Sequence, residues 1–147
     1  MSKLLERLRD ASRSGVYRAA GTDEILDAAG GSGIDIVPID LAGAQGKAEA
    51  LSRIAAALAF PAWFGGNWDA LEDCLADLSW RDAGPRVLLV AGFEDMLAAA
   101  PDDFGVLVDV LDSSAQYWAE RGPAFFAVFA DRGGRLQLRE LFRPRRP

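Results

Sequence analysis

The sequence contains no histidine, and this absence excludes several common catalytic and metal-binding arrangements. Without imidazole there is no Ser-His-Asp or Cys-His mechanism, and no zinc site that uses a histidine ligand. Cys74 is the single cysteine, so the chain has neither an intrachain disulfide nor a Cys-x-x-Cys metal knuckle. One cysteine fits a protein of a reducing compartment.

Long hydrophobic runs are also missing. The longest, from Ile54 to Phe64, has 11 residues and contains Pro61, whereas a membrane-spanning helix needs about 18 or more apolar residues. The first residues, MSKLLERLRDAS, alternate in charge and lack the apolar region of a secretory signal. These features predict a cytoplasmic protein that does not associate with membranes.

What the sequence does contain is typical of one globular domain spanning residues 1–147. Half of the 147 residues are hydrophobic, and a chain of this length buries about 70% of the surface that its unfolded form exposes. Positive and negative charges are unevenly placed. Residues 54–120 hold 12 acidic side chains and only two basic ones, whereas residues 121–147 hold seven basic and two acidic ones. The acidic segment repels nucleic acid and attracts cationic surfaces.

Hydrophobic periodicity predicts an α/β protein in which helices pack on a small parallel sheet. Strands are predicted at 16–18, 33–41, 86–90 and 125–130, and helices at 3–12, 22–30, 46–59, 67–78 and 103–121. A Gly-rich turn at 131–134, followed by alternating leucines, predicts a returning hairpin strand near the C-terminus.

The predicted helix at 67–78 carries an unusual row of acidic residues. Asn67 suits the N-cap, and apolar residues form a core-facing stripe of Trp68, Leu71, Leu75 and Leu78. Asp69, Asp73 and Asp77 are spaced four residues apart on another face, with Glu72 beside them and no lysine or arginine within the helix. Each like-charged pair costs about 0.2–0.5 kcal/mol. Either a cationic partner compensates this repulsion, or the face is simply solvated or neutralised by an arginine elsewhere in the fold.

The loop before this helix favours a partner. Trp63 and Phe64 lie between a proline and two glycines, Gly65 and Gly66, which allow a sharp turn or a close approach. Aromatic anchors beside charged side chains are typical of protein interfaces. We therefore expect one aromatic side chain to lie in the core and the other to be at least partly exposed.

The segment FPAWFGGNWDALEDCL, residues 60–75, resembles the signature of the barstar family, the intracellular protein inhibitors of barnase-type ribonucleases. The shared elements are Pro61, Trp63, Phe64, Gly65, Asn67, Asp69, Ala70, Leu71, Asp73, Cys74 and Leu75. A looser resemblance runs from Ile34 to Ala130. It implies a barstar-like, three-stranded parallel sheet with helices packed on it, to which an antiparallel edge strand can be added. Residues 1–33 would form an N-terminal extension, and residues 131–147 a hairpin strand and a basic tail.

The resemblance also implies a function without catalysis, cofactor or metal. In the family, the loop and the following helix plug the active site of a nuclease. Asp73 would enter the cationic phosphate pocket and Asp69 would pair with an arginine at its rim. The full predicted partner-binding set is Trp63, Phe64, Gly65, Asn67, Asp69, Glu72, Asp73 and Asp77. The implied partner is a ribonuclease or related basic nuclease toxin, and the implied role is that of an antitoxin or immunity protein.

Three positions depart from the family archetype. Glu72 stands where the archetype has an aromatic residue, Gly66 replaces a charged residue, and Tyr117 replaces an acidic residue late in the last long helix. Because these positions contact the partner in the family, they put barnase itself in doubt as the cognate nuclease.

Two other functions stay open at this point. Asp69 and Asp73 are candidates for a magnesium-dependent carboxylate enzyme, with Asp102 and Asp103 as further ligands. The basic C-terminal segment, RGGRLQLRELFRPRRP, is a candidate contact for an RNA-associated regulator. Nucleic acid is nevertheless the less expected ligand, because alternating leucines in this segment favour a sheet strand.

Overall fold

The structure is a computed structural model that describes residues 2–143. Residues 144–147, the end of the predicted basic tail, lie outside the described residues. The helices are α1 Lys3–Arg9, α2 Asp23–Ala29, α3 Lys47–Ala57, α4 Trp68–Asp77, α5 Glu94–Ala99 and α6 Pro101–Arg121, with a 3-10 turn at Ala11–Arg13. The strands are β1 Gly15–Ala19, β2 Asp35–Asp40, β3 Arg86–Ala91, β4 Phe125–Ala130 and β5 Arg139–Glu140.

The five strands found within residues 2–143 form one parallel sheet in the order β2-β3-β4-β1-β5. The predicted α/β class with a parallel sheet is therefore confirmed. Strands β2, β3 and β4 are the three that the family resemblance implies. Strand β1 comes from the N-terminal extension and β5 from the C-terminal one, so both extensions widen the sheet at the side of β4.

The predicted antiparallel hairpin at the C-terminus is wrong, since β5 pairs in parallel with β1. Strand β4 already has β3 on one side and β1 on the other, so neither edge is free for a returning strand. The turn itself forms, and the buried Asp131 carboxylate accepts hydrogen bonds from the backbone N–H groups of Arg135 at 2.9 Å and Leu136 at 2.8 Å. The chain then reaches the far side of β1.

Both faces of the sheet are covered by helices. Period-two alternation in β3 sends Leu88 and Val90 to one face, where α3, α4, α5 and α6 pack, and Val87 and Leu89 to the other. The second face is covered by α1 and α2, through Leu8, Ile25 and Ala29 among others. The N-terminal extension therefore provides one of the two helical layers of the fold.

The predicted helices differ from the observed ones mainly at their ends. Pro101 opens α6 two residues earlier than predicted, which suits a residue that lacks a backbone N–H. The short helix α5 was not predicted. Thr22 occupies the N-cap position of α2, but its side chain makes no capping hydrogen bond.

Asp35, the first residue of β2, is the centre of a network of three charged side chains. The Asp35 carboxylate accepts two hydrogen bonds from Arg81, both at 3.0 Å, and one from Arg86 at 2.9 Å. Arg86 is buried and also donates to the backbone carbonyl of Asp82 at 2.8 Å. Burial by itself raises the pKa of Asp35, but the hydrogen bonds and positive charges of the two arginines outweigh it, so the pKa is lowered.

A lowered carboxylate pKa stabilises the fold above the pKa of the unfolded chain, about 3.9, and this contribution is lost as pH falls through the folded pKa. We therefore expect Asp35→Asn to lower the free energy of unfolding at pH 7 by about 2 kcal/mol. The variant should also lose less stability than the wild type between pH 5 and pH 2. Urea denaturation across this range measures both effects. Asp27→Asn, an exposed position, is the matched control, and identical profiles for the two variants would contradict the prediction.

Candidate functional site

Helix α4 is positioned by its cap and by its buried face. Asn67 is the N-cap, as predicted, and its side-chain oxygen accepts a hydrogen bond from the backbone N–H of Ala70 at 2.7 Å. Leu71, Leu75 and Leu78 are buried, and Trp68 packs half-buried against the same core. The predicted apolar stripe is thus confirmed, and it directs the opposite face of α4 toward solvent.

The solvent-facing side of α4 carries four exposed carboxylates, which we call the acidic row: Asp69, Glu72, Asp73 and Asp77. None of them forms an ion pair with any of residues 2–143. The two arginines of the acidic segment, Arg81 and Arg86, are both bound to Asp35. Neutralisation of the row by an arginine elsewhere in the fold therefore finds no support in the described part of the chain.

The aromatic loop lies directly before the acidic row. Phe64 is half-buried against the core and meets Phe60 edge-to-face, with ring centroids 4.9 Å apart. Trp63 is 61% exposed, more than any other large hydrophobic side chain among residues 2–143. The expected exposed aromatic is therefore Trp63, whereas Phe64 packs at the edge of the core and is not fully buried in it. The apolar surface of an exposed tryptophan stays in contact with water, which is unfavourable, until a partner covers it.

Trp80 supports this loop, and sequence reasoning did not single it out. Its ring meets Trp63 at 6.3 Å and Phe60 at 5.9 Å, both edge-to-face. Its indole N–H donates to the backbone carbonyl of Leu58 at 3.0 Å, at the end of α3. The available signal was a tryptophan just after an amphipathic helix, but its partner lies 17 residues earlier in the chain. Trp80, from the segment that follows α4, thus packs against the exposed Trp63.

The two glycines of the loop differ in backbone conformation. Gly66 has a φ of +69°, a left-handed conformation that favours glycine. Gly65 has ordinary backbone angles, and a Cβ there would lie 3.6 Å from the Ala70 Cβ, a normal contact. The backbone therefore favours glycine at 66, whereas the small size of Gly65 leaves space above the start of α4.

The buried side of α4 is hydrogen-bonded to helix α6. The Trp118 indole N–H donates to the backbone carbonyl of Leu75 at 2.8 Å. Cys74 is buried, and burial together with the charges of Asp73 and Asp77 raises the pKa of its thiol. A buried thiol with a raised pKa is a structural residue and a poor nucleophile.

A magnesium site at Asp69 and Asp73 needs further ligands. Among residues 2–143, no three or more histidine, cysteine, aspartate or glutamate side chains are grouped so that they could hold a metal ion. Asp102 and Asp103, the other predicted ligands, lie in the first turn of α6, where acidic residues interact favourably with the helix dipole. Within the described residues, Asp69 and Asp73 thus have no companion ligands for a metal ion.

Within residues 2–143, no helix is long and apolar enough to cross a membrane. The fold and the surface together define a class of protein, a parallel α/β protein with an exposed acidic helix preceded by an aromatic loop. A family model described as Barstar (barnase inhibitor) matches residues 34–130, well over half of the chain. The chain belongs to the barstar family. A search of curated proteins finds no significant match.

Proposed function

We propose that this protein inhibits a ribonuclease by covering its cationic active site with the acidic row and the aromatic loop. The observation that carries the proposal is a set of four exposed carboxylates that form no ion pair with residues 2–143, together with a tryptophan that is 61% exposed in the loop before them. A ribonuclease active site presents lysine and arginine side chains to phosphates. A row of carboxylates imitates those phosphates.

Each residue of the surface would make a different contact with the nuclease. Asp73, in the middle of the row, would enter the phosphate pocket, and Asp69 would pair with an arginine at its rim. Trp63 and Phe64 would pack against the nuclease, with Gly65 allowing the close approach. The Asn67 side-chain oxygen is already bound to Ala70, which leaves its amide N–H groups for the partner. Glu72 and Asp77 would extend the negative surface.

The cognate nuclease would differ from barnase along one flank. Tyr117 is half-buried on α6, and the Arg121 guanidinium lies over its ring, 4.0 Å from the centroid. A cation thus stands close to the position where the family archetype carries an acid. We infer that the partner presents a neutral or acidic group there. In the cell, the protein would act as the antitoxin or immunity protein of that nuclease.

Inhibition assays test the proposal directly. The chain is titrated into barnase-type ribonucleases while cleavage of a fluorogenic RNA substrate is followed. Loss of activity that is complete at one inhibitor per nuclease supports the proposal. If none of these enzymes is inhibited at a large molar excess, the ribonuclease assignment is wrong.

The acidic row should also accelerate the encounter with a cationic partner. At low ionic strength we expect an association rate constant about 10- to 1,000-fold above that of an uncharged surface, falling steeply as salt is added. Stopped-flow association at several salt concentrations measures the slope. Replacing Asp69 and Asp77 by asparagine should flatten it more than replacing Asp109 and Asp112 of α6, although both pairs remove two charges. Equal slopes would show that only net charge matters.

A further inference from the structure

The two extensions build a second charged surface, opposite in sign to the acidic row. A cleft of about 740 Å³ lies where α1 meets β5. Among residues 2–143, its charged lining residues are Lys3, Arg7, Arg18, Arg139, Arg143 and one carboxylate, Glu140. Five cations against one anion form a concentrated positive patch on a protein whose net charge is -6. We call it the basic cleft.

Two of the five cations hold the cleft together. Arg7 donates to the backbone carbonyl of Leu141. Arg18 donates to the Leu138 carbonyl and to Glu140, each at 3.0 Å. These bonds tie the C-terminal segment to α1 and β1, and they use the single carboxylate of the cleft.

The other three cations remain available to a ligand. Lys3, Arg139 and Arg143 are exposed, and none of them makes a hydrogen bond or an ion pair with residues 2–143. The Arg139 guanidinium lies over the ring of Tyr17, 4.7 Å from the centroid, which orients it without using its N–H donors. The cleft therefore offers three positive groups on a framework that the other two arginines hold in place.

The acidic row does not cancel this field. Helix α1 covers one face of the sheet and α4 the other, because their buried residues belong to opposite clusters. Exposed charges are screened over about 8 Å at physiological ionic strength. A ligand at the basic cleft thus meets a local positive potential.

We propose that the basic cleft binds single-stranded RNA through its phosphates. Phosphate is the anion that arginine and lysine recognise through several N–H donors at once. The half-buried Phe142 also lines the cleft and supplies a ring on which a base can stack, the combination typical of single-strand binding surfaces. Every residue of the cleft lies outside the family match at 34–130. This activity is therefore additional to the proposed inhibition and independent of it.

The test is fluorescence anisotropy of the full chain with a labelled oligouridylate of about 12 nucleotides in low salt. The double variant Lys3→Glu with Arg143→Glu changes two exposed, unbonded side chains. We expect it to weaken binding about tenfold or more and to flatten the salt dependence. The matched control is Arg132→Glu with Arg135→Glu, two exposed arginines outside the cleft, which should change the affinity by less than about threefold. Both double variants should inhibit the nuclease as the wild type does.

Several results would overturn the proposal. One is that the wild type does not bind the oligonucleotide. Another is that the two double variants lose the same affinity, which would show that binding depends on net charge and not on the cleft. Inorganic pyrophosphate that competes as well as RNA would show a small phosphate subsite instead. If removal of residues 144–147 abolishes binding and the cleft variant still binds, the RNA-binding site is the C-terminal tail. Self-association that only the cleft variant abolishes, without RNA binding, would identify the acidic row of a second copy as the occupant.

Discussion

Replacing Asp73 by alanine should lower the affinity for the proposed ribonuclease partner more than any other single substitution in the acidic row. In the proposed complex, the partner's cations would lose their counter-charge while staying buried in the interface, and truncating one side of such a pair costs about 2–5 kcal/mol. This corresponds to a loss of affinity of about 30-fold to several thousand-fold, mainly through faster dissociation. Surface plasmon resonance with the inhibited nuclease measures both rate constants.

The free protein should tolerate this change. Asp73 is exposed and makes no ion pair with residues 2–143. Alanine has a higher helix propensity than aspartate, and the substitution removes the repulsion of Asp73 with Asp69 and with Asp77. The free energy of unfolding should therefore stay the same or rise slightly. Asp109→Ala on α6 removes the same charge elsewhere and should leave dissociation unchanged. If Asp73→Ala binds as tightly as the wild type, a different face contacts the nuclease.

Replacing Phe126 by alanine should be the most damaging core substitution on the face of the sheet that the N-terminal extension covers. Phe126 is fully buried in β4, and its ring stacks on Tyr17 of β1 with centroids 5.6 Å apart. Truncation of a buried phenylalanine costs about 3–5 kcal/mol, a large fraction of the stability of a domain of this size. Chemical denaturation measures the loss.

A double-mutant cycle shows whether the extension belongs to this core. With Tyr17→Ala as the second change, we expect a coupling energy of about 0.5–1.5 kcal/mol, since the two rings touch. Leu26→Ala, at a position that is 46% exposed, is the control and should cost little. Additive effects of Tyr17 and Phe126 would mean that the extension packs more loosely than the structure indicates.

Local patterns were sufficient wherever a segment's neighbours in sequence are also its neighbours in space. The N-cap at Asn67, the buried stripe of α4 and the central strands β3 and β4 follow from side-chain periodicity and capping chemistry, and all were predicted. The edge strand β5 was predicted in the wrong direction. Its pairing depends on which side of β4 the distant segment β1 occupies, and no local pattern contains that information.

The same distinction applies to the candidate site. The row of aspartates and the aromatic pair are visible in the sequence, and so is their resemblance to the barstar signature. The support of Trp63 by Trp80 is not visible, because it depends on how the ends of α3 and α4 meet. Nor does the sequence show that Arg81 and Arg86 are both bound to Asp35, which leaves the acidic row without either cation.

The sequence by itself determined the class of fold, the family and the chemistry of one surface, because these depend on residue types at short, regular spacings. Only the tertiary structure decided where the charges are balanced and where they are not, since ion pairs form between residues far apart in the chain. It joined Lys3 and Arg7 of the first helix to Arg139 and Arg143 of the last described segment. The sheet achieves this by placing β1 and β5, which lie over 100 residues apart, side by side.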